Sequence, residues 1–249
     1  MQYQRGSIGL FFRGDPTLKA WYPLNGRAID ESGHGYNGTI YGNVVPTPGK
    51  FGLNYYFGGT TSDYISCGSP LIGDSGTFTI LAWAKWIPGN DPYPSIYCEG
   101  NTSNGTPTIE VYYHDASRFF GFYYRDNNNV YGGIDAPINS ATPNIWHFGA
   151  VVSESKSLRK SYFDGLLVGT NTTTIGTLTF DNSTIGAFKR VSVGNPMKGN
   201  IAEVAIFSRA LSTQEIAQYY RWATSPGPKY TLISLPTPAN SNFFLFFNN

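Results

Sequence analysis

The sequence predicts an all-β protein, a sandwich or barrel of short strands with one helix near the C-terminus. Three observations carry that expectation. Apolar residues alternate with a period of two, most clearly over residues 77–86 (TFTILAWAKW), where Phe78, Ile80, Ala82 and Ala84 stand against Thr79, Leu81, Trp83 and Lys85. Clusters of Gly, Asn, Pro and Ser separate the apolar runs, with 29 Gly and 16 Pro among 249 residues. Aromatic residues make up 16% of the chain and charged residues 13%, the reverse of a disordered composition. A chain of this length buries one sizeable core without covalent staples.

Strands are expected at 18–22, 39–42, 54–57, 77–86, 108–113 and 119–124, each a short run of β-type residues closed by turn formers. Further strands follow at 145–153 and 161–170, the second folded on Asp164-Gly165 as a tight hairpin turn. Two more are expected at 190–193 and 200–207. The helix begins at Ser212: Ser212-Thr213-Gln214-Glu215 fits a capping box, in which hydroxyl and carboxylate satisfy each other's free backbone N–H groups. Leu211 and Ile216 form a hydrophobic staple, and Ile216, Tyr219 and Tyr220 share the face that docks on the sheets. The helix should end near Trp222, ahead of Ser225-Pro226-Gly227-Pro228. Its role is structural.

The chain divides into an N-terminal arm (1–14), one domain (15–224) and a Pro-punctuated tail (225–249). Both ends are aromatic: Leu10-Phe11-Phe12 at one, Phe243-Phe244-Leu245-Phe246-Phe247 at the other. Two outcomes are open. Either these residues close on the sandwich, or Phe11, Phe12, Phe243, Phe244, Phe246 and Phe247 dock into a neighbouring subunit and build an assembly.

With 17 Lys+Arg against 16 Asp+Glu, the charge balance argues against nucleic acid as a partner. No stretch reaches the ~18 apolar residues of a membrane span. The start, MQYQRGSIGLFF, lacks the apolar core and cleavage site of a secretory signal. Cys67 and Cys98 are expected as buried or free thiols more readily than as one bridge.

Several motifs in order then carry a resemblance. They are Ala20-Trp21-Tyr22-Pro23-Leu24-Asn25-Gly26, the run from Asp30 through Gly33-His34-Gly35 to Asn37-Gly38-Thr39, GLNYYFGG at 52–59, and Tyr64-Ile65. The strand around Trp83 follows, then Trp146-His147, Tyr162-Phe163-Asp164-Gly165, Gly199-Asn200-Ile201-Ala202-Glu203-Val204 and Arg209-Ala210-Leu211-Ser212. Over 18–222 this order resembles the laminin-G-like, concanavalin A-like lectin/glucanase superfamily. The resemblance implies a two-sheet antiparallel jelly-roll sandwich with one short C-terminal helix, used mostly for binding glycans, proteins or surfaces. Many such relatives hold Ca²⁺. This chain has Phe57-Gly58-Gly59 where the family often has Phe-Asp-Gly, and Ile201-Ala202-Glu203 where it often has Ile-Asp-Glu, so two carboxylates are missing.

A retaining glucanase on this fold needs two carboxylates roughly 5 Å apart, supplied from one strand as E-x-D-x-x-E. No strand carries that set, since Glu99, Glu110, Glu154 and Glu203 each stand alone. Nucleophile-elbow, zinc-protease and phosphate-loop patterns are also absent. The expectation is a protein that is not an enzyme. A calcium site is expected, if anywhere, where Asp30 and Asn37 of the Gly-rich loop meet Glu203 on the last strand. The alternative is a turn in which Asp30 bonds its own backbone. Sugar contact is expected on Tyr93, Tyr97, Tyr124, Asp126, Asn127, Asn128 and Tyr131, where phenol rings offer an apolar face and a polar tip. His34, His114 and His147 are expected to make local hydrogen bonds, and Arg13-Gly14-Asp15 reads as a turn.

The sequence therefore points to a non-enzymatic binding or adhesion module, a decoration or fibre-like protein of a virion or another extracellular surface. Its partners would be a glycan or surface protein and, through the termini, other structural subunits. A secreted carbohydrate-binding lectin and a hydrolase of the same fold are the alternatives.

Overall fold

Alternating residues become sheets here because each strand has two faces to satisfy. The computed structural model describes residues 6–89, 91–114, 119–137 and 141–225. Along the chain run α1 (Ile8–Phe11), β1 (Leu18–Tyr22), β2 (Thr39–Tyr41), β3 (Val44–Gly49), β4 (Gly52–Gly58), β5 (Tyr64–Gly68) and β6 (Phe78–Trp86). There follow β7 (Ser95–Gly100), β8 (Thr108–His114), β9 (Phe119–Arg125), β10 (Ile134–Pro137), β11 (His147–Ser155), β12 (Leu158–Phe163) and β13 (Leu166–Asn171). The chain continues through β14 (Asn182–Ile185), β15 (Phe188–Lys189), β16 (Val193–Gly194), β17 (Lys198–Phe207) and α2 (Thr213–Thr224).

One sheet has the order β13-β12-β11-β6-β17-β4-β3, with β1 also pairing on β17; the other has the order β10-β9-β8-β7-β14-β5-β2. All their pairings are antiparallel, and the two sheets stack as a sandwich. The core between them takes one parity of every strand: Phe78, Ile80 and Trp86 of β6, Ile109, Val111 and Tyr113 of β8, and Phe120, Phe122 and Tyr124 of β9. Trp86 stacks on Tyr113 with centroids 4.1 Å apart. The other parity of β6 is apolar as well. Leu81 and Trp83 face a second cluster, in which Ile8 and Phe12 of the arm and Ile216 and Tyr219 of α2 cover the outer face of the first sheet.

The helix holds its place by local and tertiary contacts together. Its capping box is complete, a feature worth about 1 kcal/mol. Glu215 also holds Arg209, which reaches Asp15, and the guanidinium pulls the Glu215 carboxyl down to about 2. Trp83 Nε1 donates to the Tyr219 hydroxyl at 2.8 Å, which donates in turn to the Gly6 carbonyl at 2.8 Å. The hairpin between β12 and β13 turns on Asp164 and Gly165, at φ 48° and 80°, as a two-residue turn with both centres left-handed requires. Asp164 reaches back to the start of β11: its Oδ2 lies 2.8 Å from His147 Nδ1, and its Oδ1 accepts the Phe148 N–H.

Several expectations are corrected. The strand expected at 190–193 is mostly a turn: Arg190 to Ser192 link β15 to β16, which begins at Val193. The third strand was unmarked in the sequence because Pro46 and Pro48 interrupt it, and it is tolerated at the sheet edge, where fewer N–H donors are needed. Phe12 is buried and Phe11 half-buried within the domain. They pack edge-on against each other at 4.9 Å, with Phe11 on Tyr219 and Trp222 and Phe12 on Phe207. Phe243, Phe244, Phe246 and Phe247 lie outside the described residues. Cys67 and Cys98 are both buried and free.

Candidate functional site

The outer face of the second sheet is built from the parity that the core leaves out: Glu110 and Tyr112 on β8, Tyr123 and Arg125 on β9, and Asp135 on β10. The β15–β16 hairpin lies over the neighbouring strands. It comes so close that a Cβ on Gly100 would meet the Lys189 carbonyl at 2.1 Å. Between this hairpin and the segment carrying Tyr93 the face opens as a groove of about 420 Å³.

Two glycines shape its floor. A Cβ on Gly121 would lie 2.2 Å from Tyr112 Cζ, so the Tyr112 ring rests flat across β9 only because that position has no side chain. Gly133 likewise leaves room for the Tyr131 hydroxyl. Both phenols then converge on one carboxylate: Tyr112 donates to Asp135 Oδ1 at 2.6 Å and Tyr131 to Asp135 Oδ2 at 3.3 Å. Burial, joined by the Asp135 charge, raises both phenol pKa values, so the two hydroxyls stay protonated and fixed as donors. Each phenol oxygen keeps acceptor capacity beyond the proton it donates. Tyr93 closes the wall, edge-on to Tyr112 at 5.7 Å and to His114 at 4.6 Å.

The opposite wall is set by Glu110. Its carboxyl is buried, and burial pushes it up to about 8 against the pull of the Asn195 amide, which donates to both of its oxygens at 2.9 and 3.2 Å. At neutral pH it therefore carries a proton and can donate. Arg190 completes this end: it stacks on Phe188 at 4.2 Å and donates to the Gly105 carbonyl. The groove thus offers aromatic faces, fixed acceptors at one end and donors at the other, which is what a polyhydroxylated ring needs.

The Laminin_G_3 family, described as a concanavalin A-like lectin/glucanases superfamily, matches residues 58–217. The chain belongs to this superfamily. Among solved structures it is similar to domain 4 of AbnA, an extracellular GH43 arabinanase from Geobacillus stearothermophilus, determined in complex with arabinotriose. The TM-score is 0.66 at 18% identity, covering 82% of this chain and 98% of that one. It is also similar to the binding domain of botulinum neurotoxin serotype G, with a TM-score of 0.65 at 15% identity over 82% of this chain and 50% of that one. The binding domain of Paraclostridial Mosquitocidal Protein 1 gives 0.63 at 14% identity, over 82% and 52%. The chain spans about half the length of these two toxin domains, and at such identities the likeness is one of fold. No curated protein matches the sequence.

The superfamily fold sorts the sequence-derived candidates by strand parity. Tyr93 and Tyr131 line the groove, 40% and 38% exposed. Tyr97 and Tyr124 do not, because both point into the core; Tyr97 donates to Glu99, and Tyr124 packs on Phe78 and Phe122. Asp126 is buried as the anchor of its loop, accepting from Asn128 N, Val130 N and Gly176 N. Asn127 accepts the backbone N–H and hydroxyl of Thr179, while Asn128 is exposed outside the groove. The groove residues that the sequence did not mark for sugar contact are Glu110, Tyr112, Tyr123, Asp135, Phe188, Arg190 and Asn195.

Asp30, Asn37 and Glu203 have other uses. The Asp30 carboxylate accepts the backbone N–H groups of Trp21, Ser32 and Tyr36, and Asn37 Oδ1 accepts that of Asp30. Glu203 sits at a bulge in β17 with φ 55° and accepts Ile8 N at 2.8 Å and Trp21 Nε1 at 2.9 Å. Among the described residues, no group of three or more His, Cys, Asp or Glu is placed to hold a metal. Asp15 of the Arg13-Gly14-Asp15 run is tied to Thr17 and Arg209.

Proposed function

We propose that this superfamily member is a carbohydrate-binding module that holds an oligosaccharide in the groove between Asp135 and Asn195, and that it binds without cleaving. The observation that carries this reading is the Tyr112–Asp135–Tyr131 arrangement. One carboxylate locks two phenols, so the sugar meets rings and acceptors already ordered, and little side-chain entropy is lost on binding. The fold is one that also serves as domain 4 of an arabinanase bound to arabinotriose and as toxin binding domains, which agrees with a binding role. The module would attach whatever bears it to a glycan-coated surface. An assembly role through the aromatic ends loses half its basis, since Phe11 and Phe12 are consumed inside the domain.

The test is calorimetric titration of the full chain with arabinotriose and a panel of neutral and acidic oligosaccharides, for the wild type and Tyr131→Ala. Saturable binding weakened at least tenfold by the substitution supports the reading. Unchanged binding in the variant, or none in the panel, sinks it.

A second reading is favoured by one observation: Glu110 and Asp135 both line the groove, and Glu110 is protonated near neutrality as a general acid would be. Against it, they stand on β8 and β10 with β9 between, about 10 Å across the sheet at ordinary strand spacing. That exceeds the roughly 5 Å of a retaining pair and lies just beyond the roughly 6.5–9.5 Å of an inverting one. Both Asp135 oxygens are also taken by phenols. Reducing-end release from the same panel, abolished by Glu110→Gln, would establish hydrolysis instead.

A further inference from the structure

Resting on the reading of the groove as a sugar site, we infer that its ligand is an acidic oligosaccharide whose carboxylate or sulfate lies by Tyr123, between Arg125 and Arg190. Three observations point there. Both guanidiniums act on the Tyr123 phenol, and Arg125 lies 4.8 Å from the Tyr123 ring and 5.7 Å from that of Tyr131. Neither arginine is in an ion pair among the described residues, whereas Arg27 and Arg209 each reach carboxylates. Among the described residues Arg190 donates to the Gly105 carbonyl, lies over the Phe188 ring and acts on the Glu110 carboxyl, and Arg125 has the Asn129 side chain and two rings. Moreover, Arg125 Nε is buried and lacks a hydrogen-bond acceptor. That donor finds no acceptor among the described residues, so the Arg125 guanidinium is uncompensated beside the Tyr123 ring.

The groove's own acids do not neutralise this end. Asp135 stands opposite Gly121, one same-face step along β9 from Tyr123, and its oxygens already accept two phenols. Glu110, directly across from Tyr123 in register, is buried, its pKa is pushed up to about 8, and both of its oxygens accept from Asn195, so its charge is largely suppressed at this end. The result is a polarised groove, with the phenols and carboxylate of the Asp135 cluster on one side and, on the other, Arg190 in the lining with Arg125 beside it against the Tyr123 ring. Guanidiniums stacked on rings keep their charge and their planar fork, which suits a carboxylate or sulfate.

The test compares matched probes on the full chain by calorimetry at low salt. Trigalacturonate is set against its methyl ester, and a sulfated galactotriose against galactotriose, so the two anion sources are read separately. Arabinotriose serves as the neutral reference. The expected result is at least a tenfold preference for the acidic member of one pair. That preference should shrink as salt rises and vanish in Arg125→Gln and Arg190→Gln, whose thermal melts stay those of the wild type. Neutral sugars binding as tightly as acidic ones, or a preference that survives both substitutions, overturns the inference and leaves the sugar site standing. Silence from every probe, arabinotriose included, overturns both.

Discussion

Glu110 and Glu203 are two glutamates in the same electrostatic position on opposite outer faces of the sandwich. Each is buried, and burial pushes each carboxyl up to about 8. They differ in what surrounds them. The first sheet is roofed by the arm and α2, and Glu203 is enclosed there, its Oε2 accepting both Ile8 N–H and Trp21 Nε1–H. On the second sheet the roof is a two-residue-stranded hairpin that covers only part of the face, and Glu110 looks into the open groove beside it. A raised carboxyl pKa therefore marks burial on both faces and an open groove on only one. What separates the two is the side from which they are held: Glu203 by the arm and Trp21 inside a covered face, Glu110 by Asn195 at the edge of an open groove.

The comparison breaks or holds first on stability. Glu203→Ala strands two buried donors, a loss of about 3 kcal/mol at 1–3 kcal/mol for each orphaned group. It should also loosen the arm, because Ile8 loses its anchor. Glu110→Ala leaves Asn195 facing a groove that water can enter, so its stability loss should stay below about 1 kcal/mol. Urea denaturation of the two variants decides this, and equal losses would erase the distinction between the faces.

Ligand affinity sharpens it next. Gly121→Val places carbon where Tyr112 Cζ lies and must lift that ring away from Asp135. Sugar binding should fall by about tenfold or more, an energy of ~1.4 kcal/mol. The equivalent insult on the closed face is Gly9→Val, where a Cβ would meet Trp21 Cζ3 at 2.2 Å. That change should leave affinity intact and lower the melting temperature instead. Affinity lost in both variants, or in neither, would mean the groove is not the site.

The pH dependence has a sign that follows from the two carboxyls. In each the folded pKa, about 8, exceeds the ordinary 4.5, so the folded state holds its proton more tightly than the unfolded chain. The stabilisation is complete below 4.5 and is lost as pH rises through 8, with a slope of at most ~1.4 kcal/mol per pH unit for each group. Glu99, also buried and raised, adds in the same direction. Melting temperature should thus decline from pH 5 to 8, and Glu110→Gln should flatten the decline. If the variant's profile overlays that of the wild type, Glu110 is not protonated in the fold.

Much of this architecture was legible from parity alone, and the site was missed by a single step of it. The alternation over Phe78, Ile80, Ala82 and Ala84 names the core-facing side of β6 correctly. In Tyr123-Tyr124, however, neighbouring tyrosines point to opposite faces, and the sequence does not say which one faces solvent; Tyr123 does. Asp126 and Asn127 look like sugar ligands by composition, yet they serve their own backbone, as short polar side chains in turns do. Arg190 and Asn195 reach the groove from a hairpin that covers it from above. That packing depends on tertiary contact, to which a local pattern is blind. Conversely, the capping box at Ser212 is wholly local and was readable to the residue.

The smallest expected effect concerns calcium. The loop from Asp30 to Thr39 has the composition of a cation site, but three backbone N–H groups already fill the Asp30 carboxylate. Those donors do for the charge what an ion would do, and they would have to be displaced for one to bind. Glu203 is not free to assist, since its oxygen holds the arm through Ile8 and Trp21. Chelation should therefore move the melting temperature by less than about 1 °C, whereas a tightly held structural ion would add several kcal/mol by mass action. A large drop on chelation would require Asp30 to exchange its backbone donors for a metal. That would make the arm-covered side of the molecule, rather than the groove, the one whose hydrogen bonds are completed from outside.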